Sequence, residues 1–285
     1  MRLGLAVGLA AAVLGAETRV VVVAGLGGEP EYEQRFASWA AEAGKVSGAR
    51  VLSGSAATRE NLRAALAEAA KSLNAKDDFV LVLIGHGAFD GVEYKFNLPG
   101  PDITAGELAS LMNRIPAGRQ LVVNATSSSG ACIESLKAPN RVVVTATKSG
   151  TERNATVFAR YWVEALREPA ADADKNEVVS ALEAYRYAEQ KTKRFYETQK
   201  RLATEHPQLV DPDGVAARIA LARFGSAEKA RNDPAKRALI ARREEIETEI
   251  DRLKREKAAM PGDEYRKRLE ALLLDLARTQ AEIDK

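Results

Sequence analysis

The run Phe79-Val80-Leu81-Val82-Leu83-Ile84-Gly85-His86-Gly87 decides the fold class of this chain. Its first six residues are apolar without interruption, and the run ends in a histidine between two glycines. A short apolar run with no polar face is typical of a strand that is buried on both faces of a parallel sheet. The run therefore predicts a mostly parallel sheet that is covered by helices.

The residues around this run repeat an alternation of strand and helix from Arg19 to about Leu166. Further short apolar runs predict strands, and segments with apolar residues three or four positions apart predict helices between them. This alternation is typical of an α/β domain, which we expect over residues 19–168. The predicted strands are Val20 to Ala24, Arg50 to Leu52, Phe79 to Ile84, Leu121 to Ala125 and Arg141 to Ala146, and the predicted helices are Tyr32 to Ala43, Arg59 to Leu73, Thr104 to Arg114 and Asn154 to Leu166.

Composition excludes several classes of protein. The 42 Lys and Arg residues nearly balance the 40 Asp and Glu residues, and no basic stripe is visible, so we expect no nucleic-acid partner. The single cysteine, Cys132, excludes an intramolecular disulfide framework. With only two histidines, His86 and His206, a zinc cluster of Cys and His ligands is excluded as well.

The N-terminal residues have the pattern of an export signal. Arg2 is followed by the apolar or Gly residues Leu3 to Leu14, and Gly15 and Ala16 provide small residues for cleavage before Glu17. We therefore expect residues 1–16 to be a signal peptide and the protein to be periplasmic or extracellular. The apolar run is too short to span a bilayer, so no membrane-spanning segment is expected after cleavage. The alternative is that Leu3 to Val13 form a buried first strand.

Beyond about Pro169 the composition changes to Ala, Glu, Lys and Arg, and we expect strands to end there. Residues 169–225 are predicted to be a helical extension with one long helix over residues 178–200. Residues 226–285 carry 15 basic and 14 acidic side chains, and Pro261-Gly262 divides them into two segments with apolar residues at heptad spacing. We expect an antiparallel coiled-coil hairpin here, through which the chain could self-associate; the alternative is a solvated, partly helical tail.

The candidate catalytic residues follow two of the predicted strands. Chemically active groups in parallel sheets lie at the carboxyl ends of strands, which is where His86 is placed, and the amide of Gly87 is expected to be free to donate to an oxyanion. The next strand along the chain ends in Thr126-Ser127-Ser128-Ser129-Gly130. A histidine beside a cluster of hydroxyls is the pairing of base and nucleophile that acyl transfer uses. By contrast, the glycine-rich turn Gly25 to Gly28 lacks the full dinucleotide spacing and is predicted to be a plain turn.

Residues 19–166 resemble the legumain and caspase group of cysteine peptidases. In that group an apolar strand ends in His-Gly, and a second apolar strand ends in Asp or Glu, Ala, Cys, one residue, Ser and Gly. Gly85-His86-Gly87 matches the first element, while Asn124-Ala125 and Ser129-Gly130 match the ends of the second with one extra residue inside. The resemblance implies a three-layer sandwich and a peptide or protein as the partner.

The cysteine nucleophile of that group is missing at the matching position. Counting from Asn124-Ala125 places it at Thr126, and counting back from Ser129-Gly130 places it at Ser127. A hydroxyl needs a well-oriented base to lose its proton, whereas a thiol is already partly ionised at neutral pH. We therefore expect a catalytically inactive protein that binds peptides or proteins. Two alternatives stay open: an active peptidase that uses His86 with Cys132, Ser127 or Thr126, and an assembly scaffold that acts through the helical hairpin.

A second group of polar residues resembles an EF-hand calcium loop. Asp172, Asp174, Asn176, Ser180 and Glu183 stand at loop positions 1, 3, 5, 9 and 12, directly before a predicted helix. Position 6 is Glu177 where such loops have glycine, so either the backbone is strained there or the coordination is looser. Any Ca²⁺ binding is therefore expected to be weak. The alternative is an acidic helix N-terminus in which these side chains act as caps.

Overall fold

A computed structural model describes residues 17–285, apart from the side chains of Ser47, Arg231, Asn232, Pro234, Asp251 and Arg255. The predicted signal peptide, residues 1–16, lies outside the described residues. The described chain forms two compact units, residues 17–227 and residues 228–285. Among the described residues, none of the helices combines the length and the apolar character that crossing a membrane requires.

The larger unit is an α/β unit built on a six-stranded sheet. Five strands are parallel, and the last one, at an edge, is antiparallel to its neighbour. In spatial order the strands are β2 (Arg50–Leu52), β1 (Thr18–Ala24), β3 (Asp78–Gly85), β7 (Arg119–Thr126), β8 (Arg141–Thr145) and β10 (Gln208–Val210). The α/β class and the mostly parallel sheet that the sequence predicts are thus confirmed.

Two apolar cores lie on the two faces of this sheet. Alternate residues of β3 point to opposite faces, so that Val80 and Val82 belong to one core and Leu81 and Leu83 to the other. Helices cover both faces, which explains why β3 has no polar face. The first core contains residues of α1 (Pro30–Ser47), α5 (Phe158–Ala165) and α6 (Ala181–Thr198), and the second contains residues of α2 (Arg59–Ser72), α3 (Ala105–Met112) and α4 (Ile133–Leu136).

Several short strands occur where no apolar pattern predicts them. Residues after Pro169 contain three of these strands, so the expectation that strands end there is wrong: β10 extends the central sheet, and the two others pair with each other. A further small sheet follows β3. Its strands are β4 (Gly87–Phe89), β5 (Tyr94–Phe96) and β6 (Ile103–Thr104), and the two strands beyond residue 169 outside the central sheet are β9 (Val178–Ser180) and β11 (Ala220–Arg223).

The second unit contains two long helices, α8 (Pro234–Glu256) and α9 (Gly262–Ile283). The short helix α7 (Gly225–Asn232) precedes them. The two long helices run antiparallel, because Arg242 pairs with Asp275 and the Lys236 ammonium donates to the carbonyl of Ile283. Ile246, Ile250 and Leu253 of α8 are buried, so the apolar side of each helix packs on the other.

Candidate functional site

The carboxyl ends of β1 and β3 form the switch point of the sheet. The chain leaves β1 toward β2, at one edge of the sheet, and leaves β3 in the other direction, toward β7. The connections that follow these two neighbouring strands therefore diverge. Ligands of open α/β sheets bind in the crevice at such a point. The turn Gly25 to Gly28 follows β1 here, and His86 follows β3.

His86 is half-buried and packs against the first helix. Its ring makes edge contacts with Tyr32 and Phe36 of α1, at centroid distances of 4.8 and 5.1 Å. The carbonyl of Gly27 accepts a hydrogen bond from the ring. Burial lowers the pKa of His86 below its usual value, while the Gly27 carbonyl and the carboxylates of Glu29 and Glu33 partly oppose that change. His86 is therefore a neutral imidazole at pH 7, with a backbone carbonyl that fixes its orientation.

The glycine-rich turn after β1 is filled by a side chain of the same chain. The Glu33 carboxylate accepts from the amides of Gly27 and Gly28, at 2.7 and 3.3 Å. A Cβ atom on Gly27 would lie 2.4 Å from the Glu33 nitrogen, which explains why glycine stands there. The amides that could have held a phosphate thus hold Glu33, in agreement with the prediction of a plain turn.

Thr126 lies beside the end of β3 but points to the other face of the sheet. It is paired in register with Gly85, one residue before His86. Its hydroxyl is fully buried and bonds to the Tyr94 hydroxyl at 2.6 Å and to the Asn124 side chain at 2.8 Å. Tyr94 belongs to the core on the face opposite α1. Thr126 therefore belongs to a buried hydrogen-bond network with Tyr94 and Asn124, and His86 is not part of that network.

Ser127 contacts the backbone next to His86. Its hydroxyl donates to the Gly87 carbonyl at 2.9 Å and accepts from the Gly87 amide at 3.1 Å. The amide that we expected to be free for an oxyanion is thus bound to Ser127. Ser127 is 4% exposed, so substrate has no access to this hydroxyl without a local rearrangement.

The rest of the hydroxyl-rich turn is covered by the segment after β8. Ser128 adopts a left-handed backbone, with a φ of 56°, and its amide donates to the Glu152 carbonyl. The Ser129 hydroxyl accepts from the amides of Ala146 and Thr147. A Cβ atom on Gly130 would lie 2.2 Å from the Lys148 backbone. This close packing covers the hydroxyl-rich turn on the side of the segment that follows β8.

Cys132 lies on the face of the sheet opposite the His86 ring. It is fully buried in the core that contains Leu136 and Val143, and its sulfur accepts a hydrogen bond from the Asn124 side chain at 3.3 Å. Burial raises the pKa of the Cys132 thiol to about 12, although the Asn124 contact acts in the other direction. The thiol is therefore protonated at neutral pH and is not brought together with His86.

The predicted calcium loop gathers three carboxylates. Oxygen atoms of Asp172, Asp174 and Glu183 lie within 4.8 Å of one another. Burial and the carboxylates of Glu183 and Asp172 raise the pKa of Asp174. The hard oxygen donors suit Ca²⁺, so the donor set fits the expected ion. Glu177 has a φ of 63°, so of the two expected consequences of the missing glycine the structure shows the strained backbone.

The same loop is also held by its own hydrogen bonds. Ser180 and Glu183 form a reciprocal capping box at the start of α6, and Glu183 also accepts from the amide of Ala173. The side-chain oxygen of Asn176 accepts from the Val178 amide. Both interpretations of this segment, the ion site and the helix caps, therefore involve the same side chains.

Two acidic residues near the end of β8 were not singled out by sequence reasoning. The Glu205 carboxylate accepts from the amides of Val157 and Phe158 at the start of α5 and from the Tyr196 hydroxyl. Burial raises the pKa of Glu205 to about 7. Glu152 binds the imidazole of His206. No local pattern predicts the contacts of Glu205 with α5 or of Glu152 with His206, because these join segments more than 40 residues apart.

Comparisons with known proteins leave the family open. No family model matches the sequence, and no curated protein matches it. Among solved structures, the chain is similar to protein GSU0716 from Geobacter sulfurreducens, with a TM-score of 0.48 and 13% sequence identity. The similarity covers 70% of this chain and 96% of that chain.

Proposed function

We propose that this chain is an exported protein with a peptidase-type domain of the legumain and caspase kind, which binds a peptide or protein segment without cleaving it. The observation that carries the proposal is the separation of base and nucleophile. His86 keeps the orientation and partial exposure that a base requires, whereas Thr126, Ser127 and Cys132 are all buried with hydrogen-bond partners of their own.

The absence of turnover follows from the chemistry of these three groups. An effective nucleophile must be within hydrogen-bond reach of its base and must be accessible to the substrate carbonyl. The Thr126 hydroxyl and the Cys132 thiol face the core opposite α1, and the Ser127 hydroxyl is bound to Gly87. The amide of Gly87 is bound by the same hydroxyl, so the expected oxyanion donor is engaged as well.

The binding surface that we assign surrounds the exposed part of the His86 ring. Leu26 is 39% exposed on the adjoining turn, and Tyr32 is partly exposed on α1. Aromatic and apolar side chains beside a switch point offer a peptide both apolar contact and hydrogen bonds. Glu29 and Glu33 contribute negative charge near His86, which favours a peptide that carries basic side chains.

A test of binding can use the two histidines as internal probes. Because His86 and His206 are the only histidines, their imidazole proton signals in NMR spectra can be assigned from one His206→Gln variant. On addition of a mixture of random decapeptides, we expect the His86 signal to shift and the His206 signal to stay in place. The Tyr32→Ala variant should lose the shift, and Tyr265→Ala, in the other unit, is the matched control.

A test of turnover uses the same peptide mixture. Mass spectrometry should show no cleaved peptide, and a thiol-directed peptidase inhibitor should label no residue of the folded protein. Cleavage or labelling that disappears in the His86→Ala variant would establish the active-peptidase alternative. A His86 signal that does not respond to any peptide would contradict the binding role.

The helical hairpin supports a second function, self-association with another copy of the chain. Leu273 and Leu274 of α9 are 48% and 52% exposed, and they lie next to Leu269, Arg266 and Glu270. An apolar stripe flanked by one basic and one acidic residue is self-complementary when two copies meet in antiparallel orientation. Light scattering should then report a dimer for the full chain and a monomer for the double variant Leu273→Gln, Leu274→Gln. A monomeric unmodified chain would contradict this function.

A further inference from the structure

The first described residue donates a backbone hydrogen bond to a buried carboxylate. The nitrogen of Glu17 lies 2.9 Å from an Oδ1 atom of Asp77, and Asp77 is 6% exposed. The other carboxylate oxygen accepts from the amide and the side chain of Asn74, at 2.9 and 2.6 Å. All of these donors are neutral, and the described residues 17–285 provide no ion-pair partner for Asp77. A buried carboxylate without a positive partner is costly.

The position of Glu17 is fixed by the sheet. Its carbonyl accepts from the Asp78 amide at 2.8 Å, and the next residue, Thr18, is already paired with Asp78 in the register of β1 and β3. The nitrogen of Glu17 is thus held at Asp77 by the same pairing that begins the central sheet.

The sequence places an expected cleavage position at this same nitrogen. Gly15 and Ala16 are the small residues that follow the apolar run Leu3 to Leu14, and Glu17 comes directly after them. Hydrolysis of the bond between Ala16 and Glu17 by a signal peptidase consumes one water. The carbon–nitrogen bond breaks, Ala16 retains a carboxylate, and the Glu17 nitrogen becomes an amine that is protonated at neutral pH.

We propose that the chain is processed between Ala16 and Glu17 and that the new α-ammonium group forms an ion pair with Asp77, which fixes the start of β1 against the turn before β3. Processing changes the charge of a nitrogen that already occupies the binding position, so no rearrangement of the described residues is needed. The inference goes beyond peptide binding and is independent of it, because a chain processed elsewhere could still bind peptides at His86.

The expected consequence is a pH-dependent gain in stability. The carboxylate favours the charged amine, so the pKa of the N-terminus in the folded protein lies above its value of about 7.7–8.0 in the unfolded chain. A raised pKa of a basic group gives stability that is present below the unfolded value and is lost as the pH rises through the folded value. The ion pair should lower the unfolding equilibrium constant about tenfold at neutral pH, which is the typical contribution of a charge-assisted hydrogen bond.

The experiment starts from the full chain, expressed in a bacterial host that exports it. The intact mass of the exported product should correspond to residues 17–285, and any other N-terminus would overturn the proposal. The second measurement compares urea unfolding at neutral and alkaline pH for this product and for one with a glycine inserted between Ala16 and Glu17. Cleavage after Ala16 then leaves the ammonium group one residue away from Asp77.

The inserted glycine should increase the unfolding equilibrium constant about tenfold at neutral pH and have little effect at alkaline pH. Asp77→Asn removes the charge and keeps one accepting oxygen for the Glu17 nitrogen, while the contacts from Asn74 to the second oxygen are lost. It should abolish the difference between the two products. Equal unfolding curves with and without the glycine at neutral pH would contradict the ion pair. The glycine variant keeps the test decisive even if Asp77→Asn does not fold.

Discussion

The hydroxyl of Ser127 is bound to both backbone polar groups of Gly87, donating to the carbonyl at 2.9 Å and accepting from the amide at 3.1 Å. Gly87 directly follows His86 at the switch point, and Ser127 directly follows the neighbouring strand β7. The contact therefore joins the residue after the candidate base to the candidate nucleophile's own segment, and it occupies both groups that a substrate would need. It links the residues that follow β3 and β7 and thereby stabilises this edge of the sheet.

Ser127→Ala is expected to destabilise the protein, because it leaves both polar groups of Gly87 without their partner. A buried hydrogen-bonding group that loses its partner costs about 1–3 kcal/mol. Urea unfolding of the variant and of the unmodified chain measures this change. Ser149→Ala, which removes a more exposed hydroxyl from the covering segment, is the matched control and should change stability by less than about 0.5 kcal/mol. Unchanged stability of Ser127→Ala would show that the contact is not structural.

The Cys132 thiol is expected to be unreactive in the folded protein. It is fully buried, and a pKa of about 12 leaves almost no thiolate at neutral pH. A disulfide reagent such as DTNB should therefore react with one thiol per chain in guanidinium chloride and with none in buffer. Cys132→Ala provides the blank. Rapid reaction in buffer would place the thiol at an accessible site and favour the active-peptidase alternative.

Glu205 should make stability depend on pH between about 4.5 and 7, the values of its unfolded and folded pKa. A raised carboxyl pKa means that the folded state binds a proton more tightly than the unfolded state. The contribution of Glu205 to the free energy of unfolding is therefore fully present below its unfolded pKa. It is lost as the pH rises through its folded pKa. In Glu205→Gln this dependence should disappear, so that the stability of the unmodified chain relative to the variant falls by about 2–3 kcal/mol from pH 4.5 to 8.

Chemical denaturation at several pH values measures that difference. Glu60→Gln, which changes an exposed glutamate on α2, is the control and should leave the pH dependence in place. A stability difference between the Glu205→Gln variant and the unmodified chain that stays constant over this range would show that Glu205 is ionised in the folded protein throughout.

Calcium is expected to stabilise the loop at the start of α6. Three carboxylates converge there, and their mutual repulsion, which contributes to the raised pKa of Asp174, would be relieved by a cation. The melting temperature should rise with added Ca²⁺ at concentrations of about 10⁻⁴–10⁻³ M and fall back with a chelator. Asp174→Asn should abolish the response, and Asp263→Asn on α9 should keep it. A melting temperature that is insensitive to Ca²⁺ in the unmodified chain would favour the capping interpretation.

The central part of the fold could be predicted from the sequence because its elements have strong local patterns. The run from Phe79 to Ile84 is apolar at every position, and the structure places it at the centre of the sheet with both faces covered. The helices have apolar residues on one side, which a period of three to four residues reveals. At Glu177 the missing glycine indicated either a strained backbone or a looser coordination, and the structure shows the strained backbone.

Short strands could not be predicted in the same way. Strands β4, β9 and β10 have three residues each, too few to show an alternating pattern. They form because a neighbouring strand offers free backbone groups, and this depends on the arrangement of the whole sheet. For β10 the partner is β8, which lies more than 60 residues earlier in the chain.

The sequence by itself determined that His86 and the hydroxyl-rich turn follow adjacent buried strands, because apolar runs and the order of elements fix a parallel sheet. Only the tertiary structure decided what each side chain can reach. Thr126 is paired with Gly85, one residue before His86, and successive residues of a strand point to opposite faces of the sheet. The Thr126 hydroxyl is therefore buried beside Tyr94, on the face opposite the imidazole. The packing of α1 against His86 and of the segment after β8 against Ser128 then depends on contacts between distant residues, for which the linear sequence contains no local signal.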